Sequence, residues 1–153
     1  MEDLRGAFEE MGYANVRTVI ASGNVIFESS SKSAATLEKK IEKSLPGLVG
    51  FECDINVFTV DSLKKLVRMD PFKAVKMTAQ MRPYATFVKR RYKGEQDFPI
   101  KGKGYTMLAF FGDVLCSVVD LSRANTIDFM KILDKQWPGN TTRGWKTIER
   151  ILK

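Results

Sequence analysis

Apolar positions recur along this chain with two periods, one helical and one extended. Leu4, Phe8 and Met11 fall at i, i+4 and i+7, one stripe of an amphipathic helix over residues 1–11, and Gly12 suits its end. Residues 16–28, VRTVIASGNVIFE, set two β-branched runs around Gly23-Asn24, a pair that fits a two-residue type II′ turn. With Ser22 facing Val25, Ile20 opposes Phe27 and Ala21 opposes Ile26, so Thr18, Ile20, Val25 and Phe27 share the core face. Ser33 is placed to cap a helix whose buried stripe is Leu37, Ile41 and Leu45, and Pro46-Gly47 is expected to stop it. Residues 53–60 alternate Cys53, Ile55 and Val57 against Asp54 and Asn56, the pattern of a half-buried strand. Asp61 or Ser62 then caps a short helix bearing Leu63, Leu66 and Val67, which ends by Asp70-Pro71.

The predicted order is helix, strand, strand, helix, strand. That is a βαββαβ unit without its first strand. In a ferredoxin-like sheet that strand is central, so its absence leaves two neighbours with unpaired backbone groups. The second half predicts a strand over residues 84–90, a polar loop over 91–104, and a hairpin of residues 105–111 and 114–121 turning at Gly112-Asp113. A helix over residues 123–137 is expected to bury Ile127, Met130, Leu133 and Trp137, and a last helix from Thr142 places Trp145, Ile148 and Leu152 on one face. The expected class is α+β: a ferredoxin-like part, residues 1–70, beside a basic β/α part, residues 71–153, in one compact unit.

Composition supports a globular chain: of 153 residues, 44% are hydrophobic, yet no apolar run is long enough to span a bilayer. The acidic, amphipathic start lacks the form of a secretory signal, which points to a cytoplasmic protein with no membrane partner. Cys53 and Cys116 read as buried thiols rather than a disulfide. Charge changes the picture more. Residues 1–72 carry 9 Lys/Arg against 11 Asp/Glu, whereas residues 73–153 carry 16 against 7, so all of the net +7 lies in the second half. This asymmetry suits an anionic partner.

The chain has no histidine, which removes Ser/His and Cys/His nucleophilic pairs and His-ligated metals. No metal, cofactor or catalytic residue is therefore expected. Ser29 and Lys32 match a Ser-x-x-Lys spacing inside a serine-rich turn, and Gly102-x-Gly104 lacks the third glycine of a dinucleotide fingerprint. The stretch Lys89, Arg90, Arg91, Lys93, Lys101 and Lys103, interleaved with Tyr92 and Tyr105, combines phosphate-neutralising charge with stacking faces, a chemistry suited to single-stranded nucleic acid. The competing reading is a solvated loop before an ordinary strand. Thr141, Thr142 and Arg143, at the expected start of the last helix, suit a phosphate or carboxylate; against that, Thr142 serves only as a cap.

Three segments carry a family resemblance: MEDLRGAFEEMGYANVRTVIASGNVIF, Asp70-Pro71-Phe72, and TTRGWKTIERIL from Thr141. Together they resemble the bacterial family known as domain of unknown function 1697, most specifically at Ser22-Gly23-Asn24 and at Thr141-Thr142-Arg143 with Trp145. Relatives commonly have Tyr, Gln and two Asn where this chain has Val19, Ala21, Gly144 and Lys146. They usually begin with a strand and a glycine-containing segment ahead of the first helix, so the resemblance implies that a first strand is lost or is supplied by another chain. It implies a fold and no activity. The expected function is a non-enzymatic binding module for an anionic partner such as single-stranded nucleic acid. The alternatives are an enzyme or sensor for a small phosphorylated or carboxylated ligand, and a homodimer pairing through exposed sheet edges.

Overall fold

The structure, a computed structural model, describes residues 2–20, 23–89 and 96–153, and its class is α+β. Helix α1 (Glu2–Glu10) buries Ala7 and Phe8 and carries Glu2 and Asp3 in its first turn, where the amide dipoles favour negative charge. Strands β1 (Ala14–Val19) and β2 (Asn24–Glu28) then form an antiparallel hairpin. Its register is not the expected one. Val19 pairs with Asn24, Thr18 with Val25 and Arg17 with Ile26, which leaves residues 20–23 between the paired positions. The Asn24 side chain donates to the Val19 carbonyl at 3.0 Å and so belongs to the ladder's end rather than to a two-residue turn. As a result Ile20, expected in the core, is 40% exposed with a φ of 60°, a left-handed conformation uncommon for a β-branched residue. Val16 is buried instead, with Val25 and Phe27 packed against the same cluster.

Helix α2 (Ala34–Val49) begins as predicted: Ser33 Oγ accepts the N–H of Thr36 at 3.2 Å, and Leu37, Ile41 and Leu45 are buried. Pro46-Gly47 does not stop it. The proline sits in the final turn, where its missing N–H removes a single bond, and the helix ends at Gly50, whose φ of 85° lets its N–H reach the Pro46 carbonyl. Residues 53–59 form no strand. Cys53, Ile55 and Val57 pack on the first cluster with the expected period of two, which is that of an extended chain, but a ladder needs a neighbour and none of the described strands lies beside them. Helix α3 (Val60–Arg68) is capped by Thr59, two residues before the predicted Asp61 and three before Ser62; Thr59 Oγ1 accepts the Ser62 N–H at 3.1 Å.

The second sheet joins β3 (Met81–Phe87), β4 (Ile100–Gly102), β5 (Tyr105–Phe111), β6 (Val114–Asp120) and β7 (Thr141–Gly144) in the order β4-β5-β6-β3-β7, all antiparallel. The β5–β6 hairpin turns at Gly112-Asp113 as predicted. β3 starts before residue 84 and runs through Pro83, where it has β6 on one side but not yet β7 on the other; a proline without an N–H is tolerated at such an edge. β7 occupies the residues expected to open the last helix, so α5 (Trp145–Ile151) begins only at Trp145, with Gly144 before it and no side-chain cap. Thr142 is therefore a strand residue, not a cap.

One sheet face is covered by α3 and α5 through Leu63, Leu66 and Ile148, and the other by α4 (Thr126–Gln136) through Phe129 and Leu133. Ile127, expected in the core, is 69% exposed. At 100° per residue it stands about 200° from Phe129, the residue that sets the buried phase of α4. Replacing Ile20→Asn relieves its left-handed strain and is expected to raise the thermal midpoint, at about 1 kcal/mol, by roughly 2–4 °C. Phe129→Ala empties a fully buried site and is expected to cost about 4 kcal/mol, read by denaturant or thermal unfolding.

Candidate functional site

A groove of about 760 Å³ lies between β2 and residues 54–61. Phe8 of α1 and Leu37, Ile41 and Leu45 of α2 contribute to its lining, with Phe87 and Ile148 from the second sheet and its helix, while Thr141 and Arg143 add polar groups. The pleat explains which β7 side chains reach it. Thr141 opposes Phe87 and Arg143 opposes Ala85, on the face covered by α3 and α5, whereas Thr142 opposes Thr86 and points to the other face. Thr142 Oγ1 lies 2.9 Å from Thr86 Oγ1 and donates to Asn140 Oδ1 at 3.2 Å. The three residues nominated together from the sequence are thus divided, two toward the groove and one into the sheet.

Arg143 Nε donates to Asn24 Oδ1 at 2.7 Å, and its Nη1 to the Thr142 carbonyl at 3.0 Å. Burial disfavours its ionised form and lowers its pKa from the ordinary arginine value. Thr141 Oγ1 accepts from Asn56 Nδ2 at 2.9 Å, and the same amide donates to the Gly139 carbonyl at 3.3 Å. Asn24, singled out in the first hairpin, therefore meets Arg143 from 119 residues away in the chain, and Gly23 lines the same groove. Ser22, the other residue of that turn, lies outside the described residues.

The wall at residues 54–58 has no ladder to hold it, and side chains do so instead. Glu38 Oε2 accepts the Val57 N–H at 2.9 Å. Lys89 Nζ donates to Glu38 Oε1 at 3.2 Å, to Glu42 Oε1 and to the Ile55 carbonyl. Lys89, nominated for nucleic acid, has a side chain only 12% exposed and is committed to this interior cluster. Tyr105 is likewise turned inward: its ring lies 5.3 Å from that of Phe129 and covers Gly102, where an added Cβ would fall 2.1 Å from it. Lys101 and Lys103 are exposed, and Arg90, Arg91, Tyr92 and Lys93 lie outside the described residues. Trp145 packs edge-on against Phe72 at 5.0 Å, which joins two of the resemblance segments through a structural contact.

The remaining nucleophile candidates have local roles. Ser29 Oγ accepts the Ser31 N–H at 3.2 Å, and among the described residues no hydrogen bond joins it to Lys32. Burial pushes the Cys116 thiol up to about 12, and Cys53 is raised by desolvation first and then by Glu52, Asp54 and Glu42. Neither thiol is activated. Among the described residues no three His, Cys, Asp or Glu side chains gather to hold a metal ion, and no helix is long and apolar enough to cross a membrane.

The family model described as Protein of unknown function (DUF1697) matches residues 1–101. The chain belongs to the DUF1697 family. No curated protein and no solved structure matches it. In this DUF1697 chain the match spans both walls of the groove and Lys89, while Thr141 and Arg143 come from beyond it. Asn56, Glu38 and Glu42 had no sequence signal, because each acts on a partner brought near only by folding.

Lys89→Met leaves Glu38 and Glu42 facing each other without their cation and is expected to destabilise the fold by about 2–3 kcal/mol, measured by urea unfolding. Native protein at pH 8 is expected to react with a disulfide reagent at Cys53 alone and slowly, and at both thiols after denaturation. Because Cys116 is raised from about 9 to about 12 on folding, its contribution to stability is complete below pH 9 and is lost as pH rises toward 12. A Cys116→Ser variant, compared over that window, is expected to lose less stability than the parent.

Proposed function

We propose that this protein is a non-enzymatic binding module for a carboxylated or phosphorylated ligand, seated at the Arg143 end of the groove. The reading rests on one observation above all: Arg143 and Asn24, from segments 119 residues apart, are hydrogen-bonded at the end of an apolar groove. A guanidinium offers paired donors to an anion, and partial burial strengthens each such bond relative to water. Thr141 and Asn56 add hydroxyl and amide groups beside it. Having no histidine and only unactivated thiols supports binding over nucleophilic chemistry. The charge excess of the second half supports a second reading, single-stranded nucleic acid held on Lys101, Lys103 and the stretch with Arg90, Arg91, Tyr92 and Lys93.

Titration calorimetry with inorganic phosphate and with acetate is the direct test. Saturable binding that falls at least tenfold in Arg143→Gln, measured at a temperature where thermal unfolding shows the variant fully folded, is the expected result; equal binding by the variant would remove the proposal. A fluorescent single-stranded oligonucleotide, titrated at two salt concentrations, separates the second reading. Binding that weakens with salt and on charge reversal at Arg90 and Arg91 supports it.

A further inference from the structure

The outward face of α3 and α5 carries an order of charge that the groove does not use. Leu63 and Leu66 of α3 share one core cluster with Ile148 of α5, under the same face of the second sheet. Leu63 lines the groove together with Ile148 and Ile151, while Phe72, just past the end of α3, meets Trp145, which opens α5. The two helices therefore lie side by side and run in opposite directions. At 100° per residue, Lys65 and Arg68 stand about 200° and 140° from Leu63, and Lys146 and Arg150 stand about 160° and 200° from Ile148. All four are exposed, at the poles that point away from the sheet. Antiparallel packing sets Arg68 toward the Lys146 end of α5 and Lys65 toward the Arg150 end. Lys153 extends the second row, its N–H bonded to the Arg150 carbonyl. Asp61 is the one carboxylate at either pole, and Lys64 and Glu149 on the flanks cancel. No ion pair among the described residues engages the five cations. Like charges gathered in this way repel and disfavour the free fold.

We propose that this face binds the phosphate backbone of double-stranded DNA, without reading its sequence. A duplex presents one negative charge for about every 1.7 Å of its axis, a partner suited to cations set in rows rather than in a pocket. An anionic membrane takes up apolar side chains as well, and the exposed apolar residues of α3, Val60 and Met69, stand at its two ends about 180° apart. A single strand is held by stacking on aromatic faces, but Phe72 and Trp145, the aromatic pair beside these helices, are packed against each other. An RNA duplex is gripped in part through its 2′-hydroxyls, for which Lys65, Arg68, Lys146 and Arg150 supply no hydroxyl or amide side chain. The face shares no residue with Arg143 or with Lys101 and Lys103, so its test is independent of both readings above.

The test is fluorescence anisotropy on the full chain with a labelled DNA duplex of about 20 base pairs, titrated at several salt concentrations. The expected result is binding that is equal for unrelated sequences, with a slope of log affinity against log salt of about −4. Each single change among Lys65→Gln, Arg68→Gln, Lys146→Gln and Arg150→Gln is expected to make that slope shallower by about 0.9, and the four together to weaken binding by at least roughly tenfold. The fourfold variant is expected to unfold at the same temperature as the parent or higher, because it removes repulsion and no packing. A variant with Lys101→Gln and Lys103→Gln is expected to bind the duplex as the parent does. Parent-like binding by the fourfold variant overturns the inference, and so does loss of duplex binding in the Lys101 and Lys103 variant. Equal or tighter binding of the matching single strand or of an RNA duplex also overturns it. Vesicles containing phosphatidylserine are expected to leave the chain unbound; capture on them through the same four residues, without duplex binding, assigns the face to a membrane instead.

Discussion

The shape of this protein depends on one ammonium group. Lys89, just beyond the end of β3, gathers Glu38 and Glu42 of α2 and the carbonyl of Ile55 around a side chain that is mostly out of water. Removing a charge from water is costly, and here two carboxylates and a carbonyl offset that cost at short range. What the cluster secures is a stretch of chain with no other regular hold. Residues 54–58 lack a ladder, so their position relative to β2 is set by Lys89, by Glu38 on the Val57 amide and by Asn56 on Gly139 and Thr141. The groove exists because electrostatics, and not strand pairing, keeps its second wall in place.

The five-stranded sheet supplies the rigid side of the same arrangement. β3 lies between β6 and β7, and its Ala85 and Phe87 are buried under α3 and α5. β7 inherits that alternation, which sends Thr141 and Arg143 to the groove and Thr142 to Thr86. Side chains mounted on a paired strand hold their geometry better than those on a loop. Arg143 meets its counterpart on the first hairpin, so the polar end of the groove is built from both sheets at once.

Much of the fold was legible because its signals are local. Ser33 capping α2, the stripe Leu37, Ile41 and Leu45, and the turn at Gly112-Asp113 each depend on residues within a few positions of one another. Departures came where a distant partner or a competing local bond intervened. Asn24 left the expected turn for the Val19 carbonyl, and residues 141–144 became a strand because β3 offered them an edge. Residues 53–59 kept the period of a strand without its ladder, and Ile127 lost the core to the phase of Phe129. In the site, Asn24, Thr141 and Arg143 were each visible as residues with binding chemistry. Lys89 and Tyr105 were equally visible by type, but their environment turned them inward.

The sequence by itself determined the α+β class, the main helices with their buried stripes, the family, and the residue types able to meet an anion. These follow from periodicity, capping and side-chain chemistry, which act over a few residues. Tertiary structure alone decided the register of the first hairpin, the strand at residues 141–144 and the burial of Lys89. It also decided that Arg143 and Asn24 meet at the end of an apolar groove. Each of those outcomes depends on which surfaces are brought together at long range, and no local pattern in the chain encodes the distance between them.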